Sequence, residues 1–193
     1  MKKDLVFFGI QGSGKGTQAD LFLEKYSEYK YLEPGQIFRA LSSNDNIISQ
    51  HIKDRMAQGK MLDDNLAFDL FNMYGHLLGD DDHMLTDGFP RSLPQMYYFL
   101  SREAKYHRDF LAVNFSLSRE KAIERILKRA KEQGRVDDVE ESILKRLDVF
   151  EKETQPVIDY FEHIGKLIII DADQSIEVIQ QELLEKLAER DAL

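Results

Sequence analysis

The chain has 193 residues, 42% of them hydrophobic and 32% charged, which supplies one packed core and carries too much charge for a membrane-embedded protein. With 26 Lys and Arg against 35 Asp and Glu the formal charge is −9, so general affinity for nucleic acid or anionic lipid is excluded and any anionic ligand needs a local cluster of positive charge. There is no cysteine, which rules out disulfides, thiolate zinc sites and thiol catalysis.

The first element is the apolar run Leu5–Phe8, of strand length and too short for a signal peptide. No stretch reaches the roughly 18 apolar residues of a membrane span, and a cytoplasmic location is expected. The run passes directly into Gly9-Ile10-Gln11-Gly12-Ser13-Gly14-Lys15-Gly16-Thr17, after which Thr17 to Tyr26 reads as helix. Strand, glycine-rich loop, lysine and helix form a phosphate cradle: glycines let backbone N–H groups point inward, the helix N-terminus adds partial positive charge, and Lys15 reaches the outer phosphates. The usual hydroxyl directly after the lysine is displaced by Gly16, so direct metal ligation by Thr17 is not expected.

A weaker strand candidate, Tyr29–Leu32, comes next. The tract Gly79-Asp80-Asp81-Asp82-His83 reads as a solvated loop, since three adjacent carboxylates cannot all point at one ion. The strand Met84–Thr86 ends in Asp87-Gly88-Phe89-Pro90-Arg91, with Gln95 beyond it. The carboxyl ends of parallel strands line the ligand crevice, which puts Asp87 where it could hold magnesium through water and Arg91 where its planar fork could meet phosphate. A plain turn with a buried aromatic is the alternative for this segment.

Leu111–Leu117 and Leu167–Ile170 complete the strands. Ser118–Ala130 has helical spacing in Ala122, Ile123, Ile126 and Leu127, and so does the stretch with Ile176, Ile179, Leu183 and Leu187. From Asp138 a further helix carries Ile143, Leu147, Phe150, Ile158 and Phe161, and Pro156 is expected to bend or break it. Strands alternating with helices predict an α/β fold with a parallel sheet covered on both faces. His51, His76, His107 and His163 show no ligand spacing.

Four motifs then stand together: Gly-Lys-Gly-Thr-Gln at 14–18, Asp-Gly-Phe-Pro-Arg at 87–91, Gly-Arg-Val-Asp-Asp at 134–138 and Thr-Gln-Pro-Val-Ile-Asp-Tyr at 154–160. Over nearly its whole length the chain resembles the nucleoside monophosphate kinases, the adenylate kinases most closely. The resemblance implies a P-loop fold on a five-stranded parallel sheet, with core 1–32, 65–128 and 139–193, a monophosphate-binding insert 33–64 and a lid 129–138. With five residues between Arg129 and Arg135 the lid is of the short form. The implied activity is reversible Mg2+-dependent phosphoryl transfer from ATP to AMP by a monomer, with no nucleic-acid or membrane partner. Kinases for UMP, CMP or another monophosphate are the nearest alternative, and a non-catalytic nucleotide sensor is the alternative from another class.

The resemblance also implies roles, matched residue by residue. Gly12, Ser13, Gly14, Lys15, Gly16, Thr17, Arg125 and Arg129 would bind ATP, with Arg125 against the base. Gly35, Arg39, Gly88, Arg91, Gln95, Arg135 and Arg146 would bind AMP. Lys15, Arg91, Arg129, Arg135 and Arg146 would be catalytic, closing cations on the transferred group, while Asp137 and Asp138 would stabilise the closed lid or cap the next helix. Where family members usually carry Ser-Thr-Gly-Asp before the acceptor arginine, this chain has Glu33-Pro34-Gly35-Gln36 and then Arg39. Pro34 offers only its carbonyl, whereas the Gln95 amide can donate and accept at once and so matches the N1 and N6 edge of adenine. AMP is therefore the expected acceptor.

Overall fold

The computed structural model describes residues 3–57, 63–133 and 140–193, with side chains described outside 56–57 and 129–142. β1 (Asp4–Phe8) is buried along its whole length. Its alternation sends Val6 and Phe8 into the core on one face and Leu5 and Phe7 into the core on the other. β2 (Tyr29–Leu32), β3 (His83–Asp87), β4 (Phe110–Ser116) and β5 (Leu167–Asp171) join it in one parallel sheet of order β2-β3-β1-β4-β5. All five expected strands are present, within a residue or two of their predicted bounds.

The helices are α1 (Lys15–Leu23), α2 (Pro34–Leu41), α3 (Ile47–Ala57), α4 (Asp64–His76), α5 (Leu93–Lys105), α6 (Arg119–Gln133), α7 (Glu140–Val149), α8 (Gln155–His163) and α9 (Ile176–Glu189). On one face α1 and α9 contribute Ala19, Phe22, Ile179, Leu183 and Leu187. On the other, α4, α5 and α8 contribute Phe71, Met96, Phe99, Ile158 and Phe161. A third cluster joins Ala122 and Ile126 of α6 and Ile143 and Leu147 of α7 to Ile10, which anchors the glycine-rich loop. Burying such side chains contributes about 1.5–3 kcal/mol each, so these clusters fix the strand ends on which the site is built. Among the described residues, no helix is long and apolar enough to cross a membrane.

Two boundaries differ from the sequence expectation. The helix after the loop starts at Lys15, ahead of Thr17, because the Gln18 N–H already bonds to Gly14 O at 3.1 Å, and it ends at Leu23, short of Tyr26. The break expected at Pro156 falls just ahead of it, in a π-helical turn Phe150–Thr154, so that Pro156 lies in the first turn of α8, where a missing N–H costs nothing. The acidic tract is a loop as expected: Asp80 and Asp81 are exposed, and Asp82 accepts from the Gly79 N–H at 2.9 Å and pairs with Lys30 at 3.3 Å.

Candidate active site

In the β1–β3 ladder Phe7 stands opposite Asp87, so the segments starting at Gly9 and Gly88 leave the sheet side by side at its C-terminal edge. The loop bends through Gly12 and Gly14, both at φ 89°, a conformation that costs other residues about 1–2 kcal/mol. A Cβ on Gly12 would stand 3.1 Å from Ala122 O and Ile126 Cγ1, so the loop is seated directly on α6. At Gly14 and Gly16, by contrast, no heavy atom of the described residues outside the adjoining residues and the helix's own backbone lies within 4 Å of where a Cβ would be. Among the described residues the first turn of α1 has no side-chain cap and no acidic residue, so its N–H groups and the helix dipole favour an anion there. Lys15 Nζ donates to Gly9 O at 2.7 Å, folded over the loop it serves. Ser13 is fully buried, and its Oγ has no hydrogen-bond partner among the described residues, while Thr17 is exposed.

Asp87 is buried at the end of β3, and burial pushes its carboxyl above the usual carboxylate range, opposed by the charges of Lys15 and Arg91 and aggravated by that of Glu33. The Tyr31 hydroxyl shares its proton between Asp87 Oδ2 at 3.3 Å and Glu33 Oε2 at 3.5 Å. Burial and those two carboxylates push the Tyr31 hydroxyl up, so it remains a donor. The Asp87 carboxyl beside this open cradle supplies the hard oxygen donors that Mg2+ takes.

After the cis Phe89–Pro90 bond the chain delivers Arg91, whose Nε donates to Gly88 O at 2.8 Å and whose guanidinium lies across Gly88. The Arg91 carbonyl accepts from Thr154 Oγ1 at 2.9 Å, which ties the second and fourth motifs to each other. The Arg91 N–H donates to Gln95 Oε1 at 2.8 Å, and Gln95 Nε2 donates to Asp64 Oδ1 at 2.8 Å. Gln95 is only 4% exposed, and Ser92 caps its helix by accepting from the Gln95 N–H.

On α2, buried Pro34 occupies the first turn, Gln36 and Arg39 are exposed, and Arg39 pairs with Glu33 at 2.7 Å. Arg125 is half-buried and reaches Asp173 Oδ1 at 3.5 Å, which links α6 to the loop after β5. Arg146 is half-buried in the last turn of α7. Arg129 belongs to α6 by its backbone, but its side chain, together with Arg135, Asp137 and Asp138, lies outside the described residues.

The structure thus gathers Lys15, Asp87, Gly88, Arg91 and Gln95 at one sheet edge, and the Tyr31–Glu33 link carries that group over to Gly35 and Arg39. Sequence reasoning missed Tyr31, Asp64 and Asp173. Thr154 was visible in its motif without a role.

A glycine-rich cradle and lysine following β1, with a buried aspartate at the end of the neighbouring strand and an arginine just beyond it, define a P-loop enzyme of the nucleotide kinase class. Comparison with known proteins narrows the class. The adenylate kinase family model matches residues 7–166. The adenylate kinase of Prochlorococcus marinus is 33% identical over 189 residues, which cover 97% of this chain and 100% of that protein. That of Bacteroides fragilis is 32% identical over 181 residues, 93% of this chain and 95% of its own. A third, from Porphyromonas gingivalis, is 33% identical over 159 residues, or 82% and 81%. The chain belongs to the adenylate kinase family.

Proposed function

We propose that the chain catalyses reversible, Mg2+-dependent phosphoryl transfer from ATP to AMP, giving two ADP without a covalent enzyme intermediate. The observation that carries this reading is that Lys15, at the start of the helix after β1, and Arg91, after β3, flank the buried carboxyl of Asp87 at the C-terminal edge of adjacent strands. Bringing two nucleotides together concentrates negative charge, so such a site works by alignment and by cations placed where charge develops.

Gly12 to Thr17 cradle the donor phosphates with backbone N–H groups, and Lys15 leaves Gly9 O to reach the outer phosphates. Arg125 lies against the donor base. Arg39 and Arg91 hold the acceptor phosphate beside Gly35 and Gly88, and Arg91 also faces the transferred group; the guanidinium fork suits phosphate better than an ammonium does. Gln95 reads the acceptor base. Asp87 is the residue that would hold Mg2+, through water, and the positive charge supplied there would offset that of the nucleotide phosphates. Arg129 and Arg135, from a short lid over 129–138, and Arg146, from α7, close on the phosphates, opposite an acceptor insert over 33–64. Adenylate kinases are known for such closing lids, which exclude water and suppress hydrolysis of ATP.

Initial rates with AMP, UMP, CMP and GMP as acceptors test the reading. AMP is expected to be preferred by at least about tenfold, the discrimination available to a site that hydrogen-bonds one base edge. Activity confined to the pyrimidine monophosphates contradicts it.

A further inference from the structure

Arg39 is already engaged before any ligand arrives. Its Nη2 donates to Glu33 Oε1 at 2.7 Å, while the second carboxylate oxygen of Glu33 is 3.5 Å from the Tyr31 hydroxyl. Glu33 is the N-cap residue of α2, yet its side chain makes no capping bond; the Gln36 and Ile37 N–H groups bond instead to its backbone carbonyl at 3.0 and 3.3 Å. The carboxylate is therefore turned away from the helix end and toward the arginine one turn on. Gly35 makes room for this: a Cβ there would lie 3.2 Å from Arg39 Nη1 and 3.6 Å from Glu33 Oε1.

We infer that Glu33 is a resident stand-in for the acceptor phosphate, occupying Arg39 until a nucleoside monophosphate displaces it and thereby setting acceptor affinity. The inference rests on the reading of Arg39 as an acceptor-phosphate ligand. A carboxylate and a phosphate present the same paired oxygens to a guanidinium, and the phosphate dianion carries about twice the charge, so it wins the exchange. The pair is open to water, with side chains 46% and 26% exposed, and an ion pair in that setting is weak enough to give way. Once displaced, Glu33 keeps a partner, because the Tyr31 hydroxyl that it shares with Asp87 can turn fully toward it. A serine, as the family usually has at this position, carries no charge and could not compete for Arg39. The cost of Glu33 is thus a higher acceptor KM, and its effect is to keep the arginine paired when no acceptor is bound.

The test uses the full chain with Glu33→Gln, Arg39→Ala and the double variant, each assayed for acceptor and ATP KM. Glu33→Gln is expected to lower the KM for AMP by about three- to tenfold and to leave that for ATP unmoved, and the gain should shrink to less than about twofold in the Arg39→Ala background. An acceptor KM that is unchanged or raised by Glu33→Gln overturns the inference while leaving the Arg39 reading standing. An equal gain in both backgrounds assigns the effect to general repulsion of the dianion, and also overturns it. If Arg39→Ala alone leaves the acceptor KM unchanged, the reading of Arg39 fails and takes this inference with it. Unfolding temperatures of the three variants, expected within a few degrees of the parent, exclude loss of fold as the cause.

Discussion

The side-chain amide of Gln95 is oriented by Asp64: its Nε2 donates to Asp64 Oδ1 at 2.8 Å, and its Oε1 is left facing the Arg91 N–H, also at 2.8 Å. An ionised carboxylate only accepts, so it fixes which end of the amide is which. Each end retains one unused valence, an N–H and a lone pair, which is the complement of adenine N1 and N6. Asp64→Ala frees the amide to turn over. Its expected effect is a rise of about three- to tenfold in the KM for AMP, the worth of one hydrogen bond, with weaker discrimination against other monophosphates. An unchanged ratio of kcat/KM values across the acceptor panel would show that Asp64 does not act through Gln95.

Lys15 supplies the charge of the donor cradle. Replacing it by alanine is expected to lower kcat on the order of a hundred- to a thousandfold, as removal of one preorganised group from such a site does. The bond it gives up, to Gly9 O, is local, so circular dichroism and the unfolding temperature should stay near the parent's. A variant that kept most of its turnover would remove Lys15 from the mechanism.

Gly12 is constrained twice, by φ 89° and by the 3.1 Å approach to Ala122 O. Gly12→Ala therefore strains the loop and pushes it off α6. A loss of about 1–3 kcal/mol is expected, which lowers the unfolding temperature of a chain this size by roughly 3–10 °C. Gly16→Ala meets open space and should leave stability nearly unchanged, so a calorimetric comparison of the two separates packing from any general effect of the loop.

At the opposite end of the sheet, Glu103 is 2% exposed and its Oε2 has no hydrogen-bond partner among the described residues. Burial, and then the Asp4 charge, push its carboxyl from the usual 4.5 up to about 8, against the pull of Arg102 and Arg108. Between those values the folded chain holds a proton that the unfolded chain has lost, so unfolding releases a proton and this contribution to stability falls as pH rises from about 4.5 to about 8. Glu103→Gln removes the titration. Urea midpoints at pH 5.5 and 8.5 should differ less in the variant than in the parent, with the variant gaining most at the higher pH. Equal slopes in the two proteins would rule out the buried acid as their source.

Much of the frame was legible in the sequence because β1, β3 and β4 are covered on both faces and so read as continuous apolar runs. Lys15, Asp87 and Arg91 were legible for a different reason: each sits in a contiguous motif whose spacing is itself the geometry. Tyr31 and Asp64 were not, since their partners are distant in the chain. Tyr31 meets Asp87 only because β2 pairs with β3, and Asp64 meets Gln95 only because α4 packs beside α5. The irregularity at Pro156 was legible as well: a proline lacks the N–H that would bond one turn back and its ring crowds that preceding turn, and the π-helical turn Phe150–Thr154 lies there.

The central claim is that cations from separate strand ends enclose one string of nucleotide phosphates. A crystal structure with a two-nucleotide bisubstrate analogue measures this directly. Lys15 Nζ is expected to leave Gly9 O for the donor phosphates, Arg39 and Arg91 to converge on the acceptor phosphate, and the adenine of the acceptor half to lie on Gln95. An analogue bound with Arg39 still on Glu33, Lys15 still on Gly9 O and the acceptor base away from Gln95 would contradict it.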